Sequence, residues 1–165
     1  MAGVSKVALF TNEFPPHVYG GAGVHVEYLS RELSCLVPVE VRCFGEQDET
    51  KPNLRVKGYP AWAEASQNTD PRFKGALDAM YRSLSMAKDN FDASVVHCHT
   101  WYVQYAGFLA RKLWGMPFVL TTHSLEPLRP WKVEQLGNAY HLSAWIENNG
   151  ITQADAVIAV SQETR

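Results

Sequence analysis

The chain has 165 residues, of which 46% are hydrophobic and 19% charged, and its net charge is −2. That length suits one domain with a sizeable core, and that composition excludes a disordered chain. The charge offers no basic stripe for nucleic acid, and no apolar run is long enough for a signal peptide or a membrane span, so the expected setting is cytoplasmic, with neither nucleic acid nor membrane as partner.

The first strand-like run is Lys6–Phe10. It leads through Thr11, Asn12, Glu13, Pro15 and Pro16 to Gly20-Gly21-Ala22-Gly23. An amphipathic helix pattern follows over 24–36, carried by Val24, Tyr28, Leu29, Leu33 and Leu36. A strand, a glycine turn and a helix N-terminus in that order expose backbone N–H groups, which suits a phosphate. The glycines would allow close approach of a ligand and positive φ. The run is not the Rossmann fingerprint, which would need glycine at Val26, and no Gly-Lys-Ser/Thr follows as in a P-loop. A tight turn without a ligand is the alternative.

Further strand-like runs are Val39–Phe44, Leu54–Gly58, Ser94–Cys98, Phe118–Thr122 and Ala156–Val160. Helical patterns lie near 72–90, 103–115 and 133–149, the first with a core-facing stripe of Phe73, Ala76, Leu77, Met80, Leu84 and Ala87. Glu46–Asn53 reads as an exposed loop and Ala61–Pro71 as a long mobile connection. Strands apolar at successive positions, such as Val95-Val96 and Val119-Leu120, suit a parallel sheet covered on both faces. The fold class is therefore α/β, a doubly wound, mostly parallel, Rossmann-like sheet. Cys35, Cys43 and Cys98 are odd in number and widely spaced, and are expected to be reduced thiols. Ser161 caps a helix of which only Gln162–Arg165 is present, so the chain reads as a piece of a longer protein.

Ligands of such sheets bind beyond the carboxyl ends of the strands. Three segments fall there: Thr11–Gly23, His97–Trp101 and Thr122–Lys132. His97 and His99 share a strand face and, with His123, would make a metal site if other ligands joined them, but no carboxylate follows closely. Trp101, Tyr102 and Trp131 offer flat faces to sugar rings, whereas Trp114 and Trp145 fit helix patterns and are expected in the core. Arg129 and Lys132 flank Pro130 and Trp131 in a stiffened loop. His17, His25 and His141 carry no clear signal.

Together these segments resemble the N-terminal half of bacterial, actinobacterial-type glycogen synthase-like enzymes, retaining GT-B glycosyltransferases that include the maltose-1-phosphate synthases. The stretches that carry the resemblance are Asn12–Pro16, Tyr19–Val26, Val96–Trp101, Thr121–Lys132 and Ala154–Ser161, the run Ser124–Lys132 being the most discriminating. The resemblance implies that residues 1–165 form the acceptor-side domain of a two-domain enzyme. The C-terminal nucleotide-binding domain is absent from the chain and would be its partner. It implies transfer of glucose from ADP-glucose to glycogen, another α-1,4-glucan or glucose 1-phosphate, with retention of configuration. It makes His123 the catalytic residue close to the transferred glucose. Gly20, Gly21 and Gly23 would approach the donor diphosphate, and Glu13, His99, Trp101, Glu126, Arg129 and Lys132 would line the acceptor side. No cofactor and no metal are expected. Val18-Tyr19 stand where the enteric enzymes have a loop lysine, so no such lysine neutralises the phosphate here. Alternatives are a GT-B transferase with another acceptor, a metal-dependent hydrolase built on His97, His99 and His123, and a non-catalytic carbohydrate-binding module.

Overall fold

The computed structural model describes residues 3–63, 67–90, 92–125, 128–129 and 131–162, apart from the side chains of Gln135 and Leu136. The strands are β1 (Val7–Thr11), β2 (Val39–Phe44), β3 (Asp48–Lys51), β4 (Leu54–Tyr59), β5 (Val95–His99), β6 (Phe118–Thr122) and β7 (Ala156–Ala159). The helices are α1 (Gly21–Ser34), α2 (Pro71–Lys88), α3 (Gln104–Trp114), α4 (Lys132–Leu136) and α5 (Asn138–Gln153), with a 3-10 turn at Trp101–Val103. The sheet order is β3-β4-β2-β1-β5-β6-β7, parallel except for the antiparallel pair β3–β4.

All five residues of β1 are buried, as a central strand covered on both faces requires. Alternation divides them. Val7 and Leu9 pack with Val26 of α1, Val39, Val41 and Val56, while Ala8 and Phe10 join Met86 of α2, Ala106 and Ala110 of α3, Phe118 and Leu120. Gly107 lets α3 lie against the sheet, because a Cβ there would stand 2.6 Å from Cys98 Sγ and would also meet the Phe118 ring. The buried Arg42 guanidinium ties β2 to the end of α2. It donates to Glu40 Oε1 at 2.7 Å, to the carbonyls of Met86 and Asp89, and to Asn90 O at 3.1 Å.

Several expectations are corrected. Glu46–Asn53 is not simply a loop, since it contains β3, whose four residues are all exposed. A charged strand at a sheet edge carries no apolar face and reads as a loop, and its charges discourage edge-to-edge pairing. The helix patterns name the wrong faces in part. Val24, Tyr28, Leu36, Leu77 and Leu84 are exposed, while Gly23, Val26 and Ser30 of α1 and Ala76, Ala79 and Ser83 of α2 are buried. Small residues occupy the tight contacts and displace bulkier ones to the rim. Trp114 and Trp145 are not core residues. Trp114 is partly exposed with its indole N–H on Ala87 O at 2.8 Å, and Trp145 lies at the surface of α5, whose inner face carries Ala139, Ser143, Ile146, Glu147 and Gly150.

The single helix expected over 133–149 is two, broken at Gly137, which has φ +52°. The helix after β5 starts at Gln104 behind the 3-10 turn and ends at Gly115 in the left-handed conformation. The connection Ala61–Pro71 lies partly outside the described residues; at its end Asp70 caps α2, accepting the Arg72 N–H at 2.9 Å, with Pro71 at the first helical position. Glu163–Arg165, the expected last turn, also lie outside them. The three cysteines are free. Among the described residues no helix is long and apolar enough to cross a membrane.

Candidate active site

From β1 the chain crosses through α1 to β2 on one side, while β5 pairs with β1 on the other. The strand order thus reverses between the carboxyl ends of β1 and β5, where a ligand crevice of this architecture opens. Asn12, just past β1, accepts a hydrogen bond from Thr100 Oγ1 at 2.7 Å across this point. Thr100 is held at φ +71°, an uncommon conformation for a β-branched residue and a mark of local strain.

The glycine turn beside it is organised by Glu13. One carboxylate oxygen, Oε2, accepts the backbone N–H groups of Tyr19 and Gly20, both at 2.8 Å. Gly23 is required by the same side chain, since a Cβ there would stand 2.9 Å from Glu13 Cβ, Glu13 Oε2 and Val18 Cγ1. The expectation of positive φ in this run is not met: Gly20 is extended at φ −158°, and the positive-φ glycines are Gly45, Gly115 and Gly137. A Cβ on Gly20 or Gly21 would meet nothing within 4 Å, so the start of α1 borders open space. The first intrahelical bond runs from Val24 N to Gly20 O at 3.3 Å, and no side chain caps the helix.

Four imidazoles from three elements meet here. His97 and His99, two apart on β5, have ring centroids 4.3 Å apart. His123, just past β6, places Nε2 3.2 Å from His99 Nδ1. His25, in the second turn of α1, has its ring 5.1 Å from His123 and 5.4 Å from His99. His97 Nε2 is 2.7 Å from Thr121 Oγ1. Burial, reinforced by the neighbouring imidazoles, pushes His97 down to about 4 and His99 down to about 2. His123 is lowered too, by burial and by His25, with Glu13 opposing. His97, His99 and His123 are therefore neutral at neutral pH.

The structure brings together Glu13, Gly20, Gly23, His99 and His123 of the expected site residues, with Gly21 at its open edge. His99 is fully buried and reaches His123 rather than solvent. Trp101 is 8% exposed and stacks on Tyr102, with centroids 4.2 Å apart, so little of its face is open. Arg129 and Lys132 are half-buried in the turn that opens α4, where Lys132 N donates to Arg129 O at 3.0 Å. Glu126 lies outside the described residues. His25 is the member of the cluster that sequence reasoning passed over, and its one signal was its place just inside the helix that the glycine turn opens. Among the described residues no three His, Cys, Asp or Glu side chains are placed to hold a metal ion, and the imidazoles lie ring against ring. Neutral hydrogen-bonding imidazoles beside open helix N–H groups suit recognition of a polar, anionic ligand rather than nucleophilic attack.

The profile of Glycosyltransferase Family 4 matches residues 19–165. The chain is 47% identical over 163 residues to alpha-maltose-1-phosphate synthase of Mycolicibacterium smegmatis, covering 97% of this chain and 39% of that protein. It is 28% identical over 178 residues to a glycogen synthase of Mycobacterium tuberculosis, covering 94% of this chain and 42% of that protein. It spans about two fifths of the length of these relatives. Sucrose-phosphate synthase from Thermosynechococcus elongatus shares the fold with a TM-score of 0.67 at 17% identity, over 93% of this chain and 41% of that one. The fold is mixed α/β and Rossmann-like, and it matches the N-terminal half of GT-B glycosyltransferases. With its crevice at the point where the strand order reverses and a family match over most of its length, the chain belongs to Glycosyltransferase Family 4.

Proposed function

We propose that the chain is the N-terminal half of a retaining α-glucosyltransferase that moves glucose from ADP-glucose to glucose 1-phosphate or to an α-1,4-glucan. The observation that carries this reading is the placement of His123 and the open start of α1 at one crevice, in a chain 47% identical to an alpha-maltose-1-phosphate synthase. The leaving nucleoside diphosphate gathers negative charge as its bond to the anomeric carbon breaks. The first-turn N–H groups at Gly21 and Ala22, with the helix dipole behind them, are suited to stabilise that charge. The N–H groups of Tyr19 and Gly20 are already engaged by Glu13, so the diphosphate role narrows to the start of α1, and Gly23 serves by leaving room for the Glu13 side chain. His123 contacts the transferred glucose. Being neutral, it adds no cationic charge beside a carbon where positive charge grows. The acceptor attacks on the face that the leaving phosphate departs from, which retains the configuration. Arg129 and Lys132 suit the phosphate of a sugar-phosphate acceptor by charge-assisted hydrogen bonds. The remaining donor contacts belong to a C-terminal nucleotide-binding half.

Assay of the enzyme carrying both halves, with ADP-glucose and either glucose 1-phosphate or glycogen, tests the reading. Glucosyl transfer to at least one acceptor is expected; turnover with neither, or release of free glucose alone, would overturn it.

A further inference from the structure

His99 is 0% exposed, and its Nδ1 lies 3.2 Å from Nε2 of His123. One proton lies between the two nitrogens, and two arrangements are open. If His123 donates, the proton of His99 sits on Nε2, which is buried and has no hydrogen-bond partner among the described residues. If His99 donates, its Nε2 is a bare nitrogen. Nε2 is without a partner in both arrangements, and an orphaned buried N–H is the rarer of the two defects, so the second arrangement is favoured. The ring of His99 has little freedom to escape the choice. It lies 4.3 Å from the ring of His97, which is itself tied to Thr121 at 2.7 Å. His99 also pairs with Thr121 in the β5–β6 register, two residues before His123.

We propose that His99 is a positioning residue that donates Nδ1–H to Nε2 of His123 and thereby fixes the proton of His123 on Nδ1. The use made of that proton rests on the glucosyltransferase reading; its location does not. The half-exposed ring of His123 then offers Nδ1–H, which makes no hydrogen bond among the described residues, as a neutral donor to an oxygen of the bound sugar. The same arrangement resists a second proton, because Nε2 already accepts one. The titratable groups that face His123 among the described residues are His25 from α1, His97 and His99 from β5, and Glu13 from the loop after β1. Of these His25 opposes a positive ring and Glu13 favours one.

Imidazole nitrogen shifts of the 15N-labelled 165-residue chain at neutral pH test this without any assay of activity. His123 is expected with Nδ1 protonated and Nε2 bare, the reverse of the tautomer that free histidine prefers. In His99→Leu the ring should revert to the Nε2–H form and its titration midpoint should rise by about one unit. His99→Asn places an amide N–H near the former Nδ1 and should restore the Nδ1–H tautomer. His123 protonated at Nε2 in the parent chain, or an unchanged tautomer and midpoint in a folded His99→Leu, would overturn the proposal. Should His99→Leu not fold, the parent chain and His99→Asn still decide it. Lack of glucosyl transfer in the two-domain enzyme would sink the functional reading and leave this one standing.

Discussion

At the residue scale, Glu13 closes the glycine turn with one oxygen and two N–H groups, in a space that only Gly23 leaves open. A Glu13→Gln variant keeps the shape but loses the charge on those bonds, and hydrogen bonds to a charged group contribute about 1.5–3 kcal/mol. The expected outcome is a rise in donor KM on the order of 10-fold with smaller change for the acceptor, measured by initial rates with each substrate varied. For the loop after β6, Arg129→Ala or Lys132→Ala should raise the KM for glucose 1-phosphate on the order of 10-fold and spare glycogen. Equal effects on both acceptors would remove phosphate recognition from this loop.

The buried imidazoles also set a pH dependence. A histidine whose folded pKa is depressed contributes full stability above its ordinary value of 6.5, and that stability is lost as the pH falls toward the folded value, about 4 for His97. Each such group gives a slope of up to about 1.4 kcal/mol per pH unit in that window. The urea midpoint should therefore fall between pH 6.5 and 4, and His97→Gln, which keeps a polar atom toward Thr121, should flatten the fall. A midpoint independent of pH over this window would contradict the burial of neutral rings. In the sequence, His123 and the glycine turn were legible as residues of one candidate crevice because each sits at a strand or helix end. His25 and the partner of Glu13 were not: one is a lone histidine on an exposed helix turn, the other a pairing with backbone that leaves no trace in residue type.

At the element scale, β1, β5 and β6 were legible as apolar runs because strands buried on both faces are apolar at successive positions. β2 and β4 were legible as Val, Leu and Cys alternating with charged residues, and β7 as a short apolar run although most of its residues are exposed. The edge strand β3 escaped since nothing in it is buried. Helix positions were legible and helix faces less so, because close packing selects Ala, Gly and Ser at the contacts that periodicity assigns to Leu and Tyr. The join between β2 and α2 depends on Arg42, which is 1% exposed and satisfied by Glu40 and three carbonyls. Arg42→Ala leaves Glu40 half-paired and the end of α2 uncapped, at a cost of about 3–5 kcal/mol, the range for removing one partner of a buried ion pair. Urea denaturation reads this directly. A loss under about 1 kcal/mol would place the pair among surface-like ion pairs.

For the whole molecule, the sheet and its covering helices form a folded unit, yet the match extends over about two fifths of the relatives' length. On the proposed reading the donor is gripped from two sides by both halves of a GT-B enzyme, so the 165-residue chain alone is expected to fold and not to turn over ADP-glucose. Turnover by this chain near that of the two-domain enzyme would end the split-site account. The central claim, that the crevice at the β1–β5 reversal is where glucose is transferred, meets its most direct test in His123→Ala of the two-domain enzyme, assayed for glucosyl transfer from ADP-glucose beside its melting temperature. The account predicts a fall in kcat on the order of 10²-fold or more with little change in melting temperature. An unchanged kcat in a folded protein, or a loss that simply tracks unfolding, would contradict it.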